Sequence, residues 1–422
     1  MPTLIERLAP LIARGVVLDL AAMQTALSAL GDPQARLPAV HVAGTNGKGS
    51  VSAMIDAVLR AAGQRVGRYT SPHLHRFVER IAIDGVPVDD GVAQAHCDRL
   101  LALMAADAVP TLTFFEATTA LAWMCFASAA VDRVVLEVGL GGRLDATNVC
   151  APDVTVITGI ALDHQAYLGA TVGAIAAEKA GIIKQGIPCV LGPRLRGPSE
   201  ARDAIESVAR RAGAPLIEAL PVRVVGADAT STSLEVTFDG IILPVTVSLL
   251  GGYQPENVAT AVAALDHLRA RGVALDAAAV RAGLAAVRWP GRMERLGDVL
   301  LDGGHNLDGV AALCASPGLP PITAVVFGAS SDKPWAAMLG RLAEAFPAAR
   351  RYYAAASLAR AVAPSAMLAV LPGEPCASPE DALEAALTHR GEGVVLACGS
   401  LYLVAAVRAR LLSLVNDPPV GM

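Results

Sequence analysis

The sequence predicts an α/β protein in which a doubly wound sheet domain is followed by a smaller α/β domain. From Leu37 to about Pro290, short apolar runs alternate with longer stretches of helical composition, the pattern of a parallel sheet covered on both faces. A new series of strands begins after Trp289, Pro290 and Gly291, which interrupt regular structure. We therefore predict two domains, residues 1–290 and 291–422.

The individual elements follow from run length and residue type. Leu37–Val42 is a short apolar run and predicts a strand, and Ser52–Leu59 has helix-forming composition. Ala117–Val131 is uncharged but shorter than the ~20 residues that span a membrane, so it predicts a buried helix. Alternation between Val222 and Val247 predicts a hairpin at an edge of the fold. Continuous apolar runs predict strands buried on both sides at Val134–Val138, Val154–Ile160 and Pro188–Leu191.

The sequence after Gly291 predicts a second, smaller domain with a Rossmann-like α/β fold. Its predicted strands are Val299–Leu301, Ile322–Phe327, Tyr352–Ala354 and Val394–Ala397, and its predicted helices are Trp335–Ala345 and Leu401–Leu412. Ligands of such sheets bind beyond the carboxyl ends of the strands. We therefore expect a cleft between the two domains, with the linker near Pro290 as its hinge.

The stretch HVAGTNGKGSV, His41–Val51, has the composition of a triphosphate site and makes the first domain P-loop-containing. Its glycines are predicted to lie in the turn between strand and helix, where backbone amides can approach phosphate oxygens. Lys48 would contact the terminal phosphates and Ser50 could offer its hydroxyl to Mg²⁺. The spacing departs from the general P-loop pattern, and an ordinary glycine-rich turn is the alternative. The predicted nucleotide-binding residues here are Gly44, Thr45, Asn46, Gly47, Lys48, Gly49 and Ser50.

Polar side chains follow several other predicted strands. Glu137 could hold Mg²⁺, or it could pair with nearby Arg143. Asp163 and His164 end the next strand, and a neutral imidazole can bind a second divalent cation or transfer a proton, although most single histidines are structural. In the second domain, Asp302, His305 and Asn306 end one strand, and Asp332 and Lys333 follow another.

Two further segments leave alternatives open. Thr171 can cap a helix that carries Glu178 and Lys179; these two could form a solvent-facing ion pair, or Lys179 could react with CO₂ to give a metal-binding carbamate. In TSPHL, Thr70–Leu74, Ser71 could bind a metal. His73 and Arg76 could contact an anionic substrate, or the segment could be only a turn.

Composition limits the partners and the compartment. A formal net charge of −5 argues against non-specific nucleic-acid binding and favours a small anionic partner. Alanine supplies much of the 54% hydrophobic content, so a membrane role is not expected. Charged residues interrupt the N-terminal segment, which predicts no signal peptide and a cytoplasmic location. Seven scattered cysteines indicate neither a zinc site nor a disulfide framework.

Taken together, the motifs resemble the folylpolyglutamate synthase and dihydrofolate synthase family, a branch of the Mur-type ATP-dependent amide ligases. They occur in order along nearly the whole chain: LGDPQARLPAVHVAGTNGKGSV, SPHL, TFFEATTALA, EVGLGGRLDATN, ITGIALDH, EKAGIIK, GYQPEN, WPGRMER, DGGHN, SDKPW and CGSLYLV. DGGHN departs slightly, because the family commonly has alanine before the histidine.

The resemblance implies an ATP-dependent ligase that joins L-glutamate to 7,8-dihydropteroate, and to reduced folates, through an acyl phosphate. It implies that the glycine loop binds ATP and that Ser71, Glu137 and His164 hold Mg²⁺ at two sites. Lys179 would be carbamylated, and Lys48, Lys179 and His164 would be catalytic. Asn257, Arg292, Asp302 and His305 would bind ATP or the incoming glutamate, and Phe114 and Asp145 would lie at the pterin. The family also suggests a monomer.

Three other functions are considered. A cell-wall precursor ligase would need a further N-terminal domain, and only about 40 residues precede the glycine loop. A P-loop switch or motor would hydrolyse nucleotide without any carboxylate substrate. A non-catalytic nucleotide-binding domain is disfavoured by the metal-type residues at several strand ends.

Overall fold

The computed structural model describes residues 3–356 and 360–418, which form an α/β fold. Eight of the described strands make the first sheet, in the order β4-β3-β2-β5-β1-β6-β7-β8. The pairs β2–β3 and β3–β4 are antiparallel and the others are parallel. The strands are β1 (Ala39–Ala43), β2 (Val66–Tyr69), β3 (Ile81–Ile83), β4 (Val86–Pro87), β5 (Arg133–Glu137), β6 (Pro152–Ile157), β7 (Cys189–Leu191) and β8 (Leu216–Glu218).

Helices cover both faces of this sheet because its central strands are apolar on both sides. Along β5, Val134 and Leu136 face one core and Val135 faces the other. The first core packs against α5 and α6, and the second against α4. The helices of this part are α1 (Leu4–Leu8), α2 (Ala21–Ala29), α3 (Pro33–Arg36), α4 (Lys48–Ala61), α5 (Asp90–Ala105), α6 (Phe114–Ser128), α7 (Gln165–Leu168), α8 (Val172–Ala180) and α9 (Glu200–Arg211). Short 3₁₀ helices occur at Ala9–Arg14, Phe77–Arg80, Ala146–Val149 and Pro193–Leu195.

The predicted hairpin is present but belongs to a small separate sheet. Strands β10 (Thr232–Phe238) and β11 (Ile241–Val247) pair antiparallel, as predicted. A third strand that the sequence pattern did not predict, β9 (Arg223–Ala227), pairs with β10. Inward residues such as Leu234 and Val236 alternate with polar ones and join the second core, where α10 (Gln254–Ala270) and α11 (Ala277–Ala286) also pack.

The second sheet begins after the linker that contains Trp289. Its described strands are ordered β12-β13-β17-β14-β15-β16, and β12–β13 is its antiparallel pair. They are β12 (Glu294–Leu296), β13 (Val299–Asp302), β14 (Ile322–Phe327), β15 (Arg350–Tyr353), β16 (Glu374–Pro375) and β17 (Val394–Cys398). The helices are α12 (Leu307–Cys314), α13 (Trp335–Ala345), α14 (Pro364–Leu368), α15 (Pro379–His389) and α16 (Leu401–Leu412). Apolar cores lie on both faces of this sheet.

Most predicted elements are confirmed, with shifted ends. The buried helix begins at Phe114 because Thr113 and Glu116 form a capping box there. The strand predicted to reach Ile160 ends at Ile157, because the following residues turn into the space beyond the sheet. The division into residues 1–290 and 291–422 stays a prediction, and its outer ends lie outside the described residues. In the described chain, no helix has the length and apolar character needed to cross a bilayer.

Candidate active site

A cleft with a volume of about 260 Å³ opens where the carboxyl ends of the two main sheets face each other. The first sheet contributes the loops after β1, β2, β5 and β6, and the second contributes the loops after β13, β14 and β17. This convergence follows from parallel topology, because the carboxyl ends of parallel strands meet at one edge. The predicted residues that line the cleft are Thr45, Asn46, Gly47, Lys48, Gly49, Ser50, Ser71, Glu137, Asp163, His164, Lys179, Asn257, Arg292, Asp302, His305 and Lys333.

The glycine loop has a shape that only glycine permits at two positions. Gly47 precedes α4 with φ of 89°, and a Cβ atom there would lie 2.4 Å from Oδ1 of Asn257. Gly44 has φ of 146°, and a Cβ atom there would lie 1.9 Å from Oγ1 of Thr158. The prediction that Gly49 lies in the turn is wrong, because α4 already begins at Lys48. A side chain at position 49 would collide with the ring of Trp289, which packs against Gly49.

Two lysines converge on the loop backbone. Nζ of Lys48 donates to the carbonyl oxygens of Gly44, at 3.1 Å, and Thr45, at 3.2 Å. Nζ of Lys179 donates to the same Gly44 oxygen at 2.8 Å. Gly44 does not itself line the cleft, and its carbonyl oxygen is the acceptor that the two lysines share. Burial, and then the nearby charge of Lys48, lower the pKa of Lys179 to about 7.

The solvent-facing pairing of Glu178 with Lys179 is wrong. Lys179 is buried, and Glu178 accepts a hydrogen bond from Nη2 of Arg143 at 2.9 Å. The alternative pairing of Glu137 with Arg143 is wrong for the same reason. Glu137 is instead buried at the cleft, where its Oε2 accepts from the Ser71 backbone N–H at 3.3 Å. Burial raises the pKa of Glu137, and the charges of Lys48, Arg292 and Arg68 act against that rise.

Asp163 links the two halves of the cleft. Its Oδ1 accepts from Nζ of Lys333 at 2.5 Å, and both side chains are only 8% exposed. Nε2 of His164 and Nε2 of His305 lie 3.8 Å and 3.9 Å from its other oxygen. Burial alone would raise the pKa of Asp163, but Lys333 and the histidines outweigh it and hold that pKa well below its usual range. Burial and the charge of Lys333 lower the pKa of His305 to about 4, and burial lowers that of His164 to about 4, so both rings are neutral near pH 7.

Asp302 orders the loop that carries His305. Its oxygens accept from Oη of Tyr253 at 2.7 Å, from the Gly304 backbone N–H at 2.8 Å and from the Met293 backbone N–H at 3.1 Å. Nδ1 of His305 lies 3.0 Å from the Gly303 carbonyl oxygen, which directs Nε2 toward Asp163 and the cleft.

Comparison with known proteins agrees with this geometry. Residues 42–191 match the Mur ligase middle domain family. The chain is 39% identical to the folylpolyglutamate synthase of Lacticaseibacillus casei, over 92% of this chain and 93% of that protein. It is 36% identical to the dihydrofolate synthase/folylpolyglutamate synthase of Bacillus subtilis, over 94% of this chain and 96% of that protein. The structure of E. coli FolC in complex with DHPP and ADP superposes with a TM-score of 0.85 and 32% identity, covering 98% of each chain.

The chain belongs to the folylpolyglutamate synthase and dihydrofolate synthase family. Both the recognition from sequence motifs and the predicted fold class are thereby confirmed.

Four residues that the family resemblance or sequence reasoning placed at the substrate do not line the cleft. Asp145 is buried, and its Oδ2 accepts from the backbone N–H groups of Gly139, at 3.1 Å, and Leu140, at 2.9 Å, so it shapes a cleft loop from behind. Phe114 is buried in the first core. Direct substrate contact by these two residues stays a prediction.

The structure does not place His73 and Arg76 at the cleft, and their predicted contact with an anionic substrate stays a prediction. His73 is buried, and its Nδ1 accepts from Nε of Arg80 at 2.9 Å. Burial, and then Arg80, lower the pKa of His73 to about 3, so it carries no positive charge for an anion. Arg76 pairs with Asp90 at 2.5 Å on an exposed surface away from the cleft.

The cleft also contains residues that were not predicted as site residues. Polar contacts across it join Nδ2 of Asn46 to Oδ2 of Asp308 at 2.8 Å, and Arg194 to Asp308 at 2.9 Å. Position in the quoted family motifs could have indicated Tyr253 and Glu256, but Arg194 lies in no such motif. The unpredicted lining residues include Thr158, Arg194, Tyr253, Glu256, Asp308, Ser330, Arg360, Ser400 and Tyr402.

Proposed function

We propose that this protein is an ATP-dependent ligase that adds L-glutamate to 7,8-dihydropteroate and to reduced folates. The observation that carries the proposal is the convergence of the glycine loop, Lys48 and buried Glu137 in one cleft that both sheets close. Among the described residues, no carboxylate pairs with Lys48, so its charge is available for phosphate. The FolC structure with DHPP and ADP supports a nucleotide and a second ligand in such a cleft.

The side chains present fit Mg²⁺ bound together with a nucleotide. Mg²⁺ prefers oxygen ligands and is usually held by one or two carboxylates, phosphate oxygens and water. Glu137 offers a buried carboxylate, and the hydroxyls of Ser50 and Ser71 lie in the same cleft. No cluster of three or more His, Cys, Asp or Glu in the described chain could hold a metal by itself. Bound Mg²⁺ would supply positive charge at the phosphates.

We propose a second Mg²⁺ site toward His164 and Lys179, with Lys179 as a carbamate. A lysine whose pKa is about 7 has a substantial neutral fraction near pH 7, far more than an ordinary lysine. Its nitrogen can therefore attack CO₂, forming an N–C bond and releasing a proton. The carbamate would carry a negative charge, which suits a metal ligand where an ammonium does not.

The carbon of a carboxylate is a poor electrophile, so the carboxylate must be activated before an amine can attack it. Its oxygen attacks the terminal phosphorus of ATP, the bond to ADP breaks, and an acyl phosphate forms. The amino group of glutamate then attacks the acyl carbon, phosphate leaves with the bonding electrons, and the nitrogen loses a proton. Lys48 stabilises the charge on the transferring phosphoryl group, and closure of the cleft excludes water from the acyl phosphate.

Product analysis tests the proposal directly. Purified protein is supplied with ATP, Mg²⁺ and glutamate, and with dihydropteroate or tetrahydrofolate in separate reactions. We expect ADP release that depends on the folate substrate, and products heavier by one or more glutamates in mass spectrometry. The K48A variant should lose at least 100-fold in rate, because removal of one charge-stabilising group costs about this much. ADP release without any carboxylate substrate would instead indicate a nucleotide hydrolase.

We also propose a cytoplasmic monomer. ATP and folates are substrates supplied inside the cell, which supports the cytoplasm. The resemblance to the family suggests a monomer as the working unit.

A further inference from the structure

The segment that follows α16 returns to the first domain. Ser413 ends α16 in the left-handed conformation, with φ of 52°, and so reverses the chain. The Asp417 backbone N–H donates to the His75 carbonyl oxygen at 2.7 Å. Oδ2 of Asp417 accepts from the Phe77 backbone N–H at 2.6 Å. The segment thereby contacts the backbone of residues 75–77 through two hydrogen bonds of Asp417.

Asn416 and Arg408 hold the His75 side chain through its two ring nitrogens. Oδ1 of Asn416 lies 2.6 Å from Nδ1 of His75, and Nη1 of Arg408 lies 2.8 Å from Nε2. Because the guanidinium can only donate and the amide oxygen can only accept, these partners assign the ring proton to Nδ1. Arg408 also pairs with Glu294 at 2.9 Å, and Glu294 accepts from the Gly291 backbone N–H at 2.8 Å. The contacts therefore extend to the linker between the domains.

The fixed segment leads directly into the active site. Leu74 packs against the core of the second domain, close to Gly291 and Val404. Ser71 and Pro72, a few residues earlier, line the cleft, and the Ser71 backbone N–H donates to Glu137. Ser71 thus lies a few residues before a segment that the second domain contacts at residues 74–77.

We propose that Asn416 and Asp417 are positioning residues for the ligase reaction, acting through His75 and Phe77 on Ser71. The inference rests on the proposed function, and it adds residues outside the cleft to the machinery. Their loss would remove the hydrogen bonds to residues 75 and 77 and leave Leu74 and Arg408 as the remaining contacts of this segment with the second domain, while the glycine loop that binds ATP stays on β1 and α4. The chemical step should therefore suffer more than nucleotide binding.

Hydrogen–deuterium exchange and steady-state kinetics of the full chain test this together. In D417A, the Phe77 amide should exchange about tenfold faster, because it loses its acceptor. The kcat should fall about tenfold, because small displacements of positioning groups carry such costs. The KM for ATP should stay within about twofold. D417N keeps an acceptor oxygen and should restore both exchange and kcat.

E384A is the matched control, since it removes an exposed pair with Arg410 on α16 and should change neither measurement. If D417A does not fold, N416A carries the test with the same readouts, because it removes only the contact to the His75 ring. Unchanged exchange in the variant, or faster exchange with wild-type kcat, would overturn the proposal. The exchange measurement needs no turnover, so an inactive wild type would contradict the ligase function and leave the contact itself under test.

Discussion

At the scale of single residues, the shared carbonyl of Gly44 is the most informative contact. Two lysines donate to it, Lys48 at 3.1 Å and Lys179 at 2.8 Å, with no carboxylate partner for either among the described side chains. Two positive charges this close disfavour one another in a buried site. Lys179 is the more buried of the two, and its pKa is lowered, so it loses its proton more readily than an ordinary lysine.

The lowered pKa of Lys179 predicts how stability depends on pH. Its pKa is about 7 in the fold and 10.5 in the unfolded chain, so between these values the unfolded state binds more protons. The Lys179 contribution to the free energy of unfolding should therefore rise with pH in this window, by about 1 kcal/mol per pH unit. K179Q should lose this rise. Urea unfolding of both proteins at pH 7.5 and 9.5 measures it, and parallel pH slopes would contradict the prediction.

The same residue predicts a carbamate that can be observed without turnover. In ¹³C-bicarbonate at pH 8, we expect a carbamate resonance in the ¹³C NMR spectrum of the wild type and its absence in K179Q. K184Q is a suitable control, because Lys184 also has a lowered pKa and donates to a carbonyl, that of Asn148, but does not line the cleft. Loss of the signal in K184Q and its persistence in K179Q would place the carbamate on Lys184 and contradict the prediction.

At the scale of elements, the start of α4 depends on the linker. A Cβ atom on Gly49 would lie 2.7 Å from the Trp289 ring, and the Arg68 guanidinium lies over that ring, 5.1 Å from its centroid. The linker tryptophan thereby contacts the helix that carries Lys48 and Ser50, both of which line the cleft.

This packing predicts the effect of one added methyl group. G49A should lower the free energy of unfolding by about 1–3 kcal/mol, the usual cost of overpacking, and should raise the KM for ATP. G173A is the matched control in helix α8, where the nearest atoms would lie 3.5 Å from the new Cβ. It should be neutral or stabilising by up to about 1 kcal/mol. Urea unfolding compares them, and a G49A protein as stable as the wild type would show that Trp289 can move away.

The sequence patterns predicted most strands and helices but not the contacts between them. Continuous apolar runs identified β5 and β6 because strands buried on both sides need no polar alternation. They missed β9, whose residues are all exposed and so carry no burial pattern. The motifs identified Glu137 and Lys179, which follow apolar segments. They could not show that Arg143 pairs with Glu178 rather than Glu137, because charge pairing depends on the tertiary arrangement.

At the scale of the whole molecule, polar contacts across the cleft hold the two halves together. Asn46 and Asn306 exchange two side-chain hydrogen bonds, at 3.2 Å and 3.0 Å. Arg194 contacts Asp308 at 2.9 Å, and Lys333 contacts Asp163 at 2.5 Å. Such contacts can be broken and remade in water at lower cost than an apolar interface, which suits a cleft that admits and releases substrates.

The Asp163–Lys333 pair should be the most costly of these contacts to break on one side only. K333M leaves a buried carboxylate without its main countercharge, and we expect a loss of about 3 kcal/mol in the free energy of unfolding at pH 7. The double variant D163N/K333M removes both charges and should recover part of that loss. Because the pKa of Asp163 is held below its unfolded value of 3.8, the pair stabilises the fold above about pH 4 and less as pH falls through the folded value. The gap between wild type and K333M in urea unfolding should therefore shrink at pH 3. An equal loss of unfolding free energy in the single and double variants would mean that Lys333 does not stabilise the Asp163 charge. The two halves would then be held by their remaining contacts.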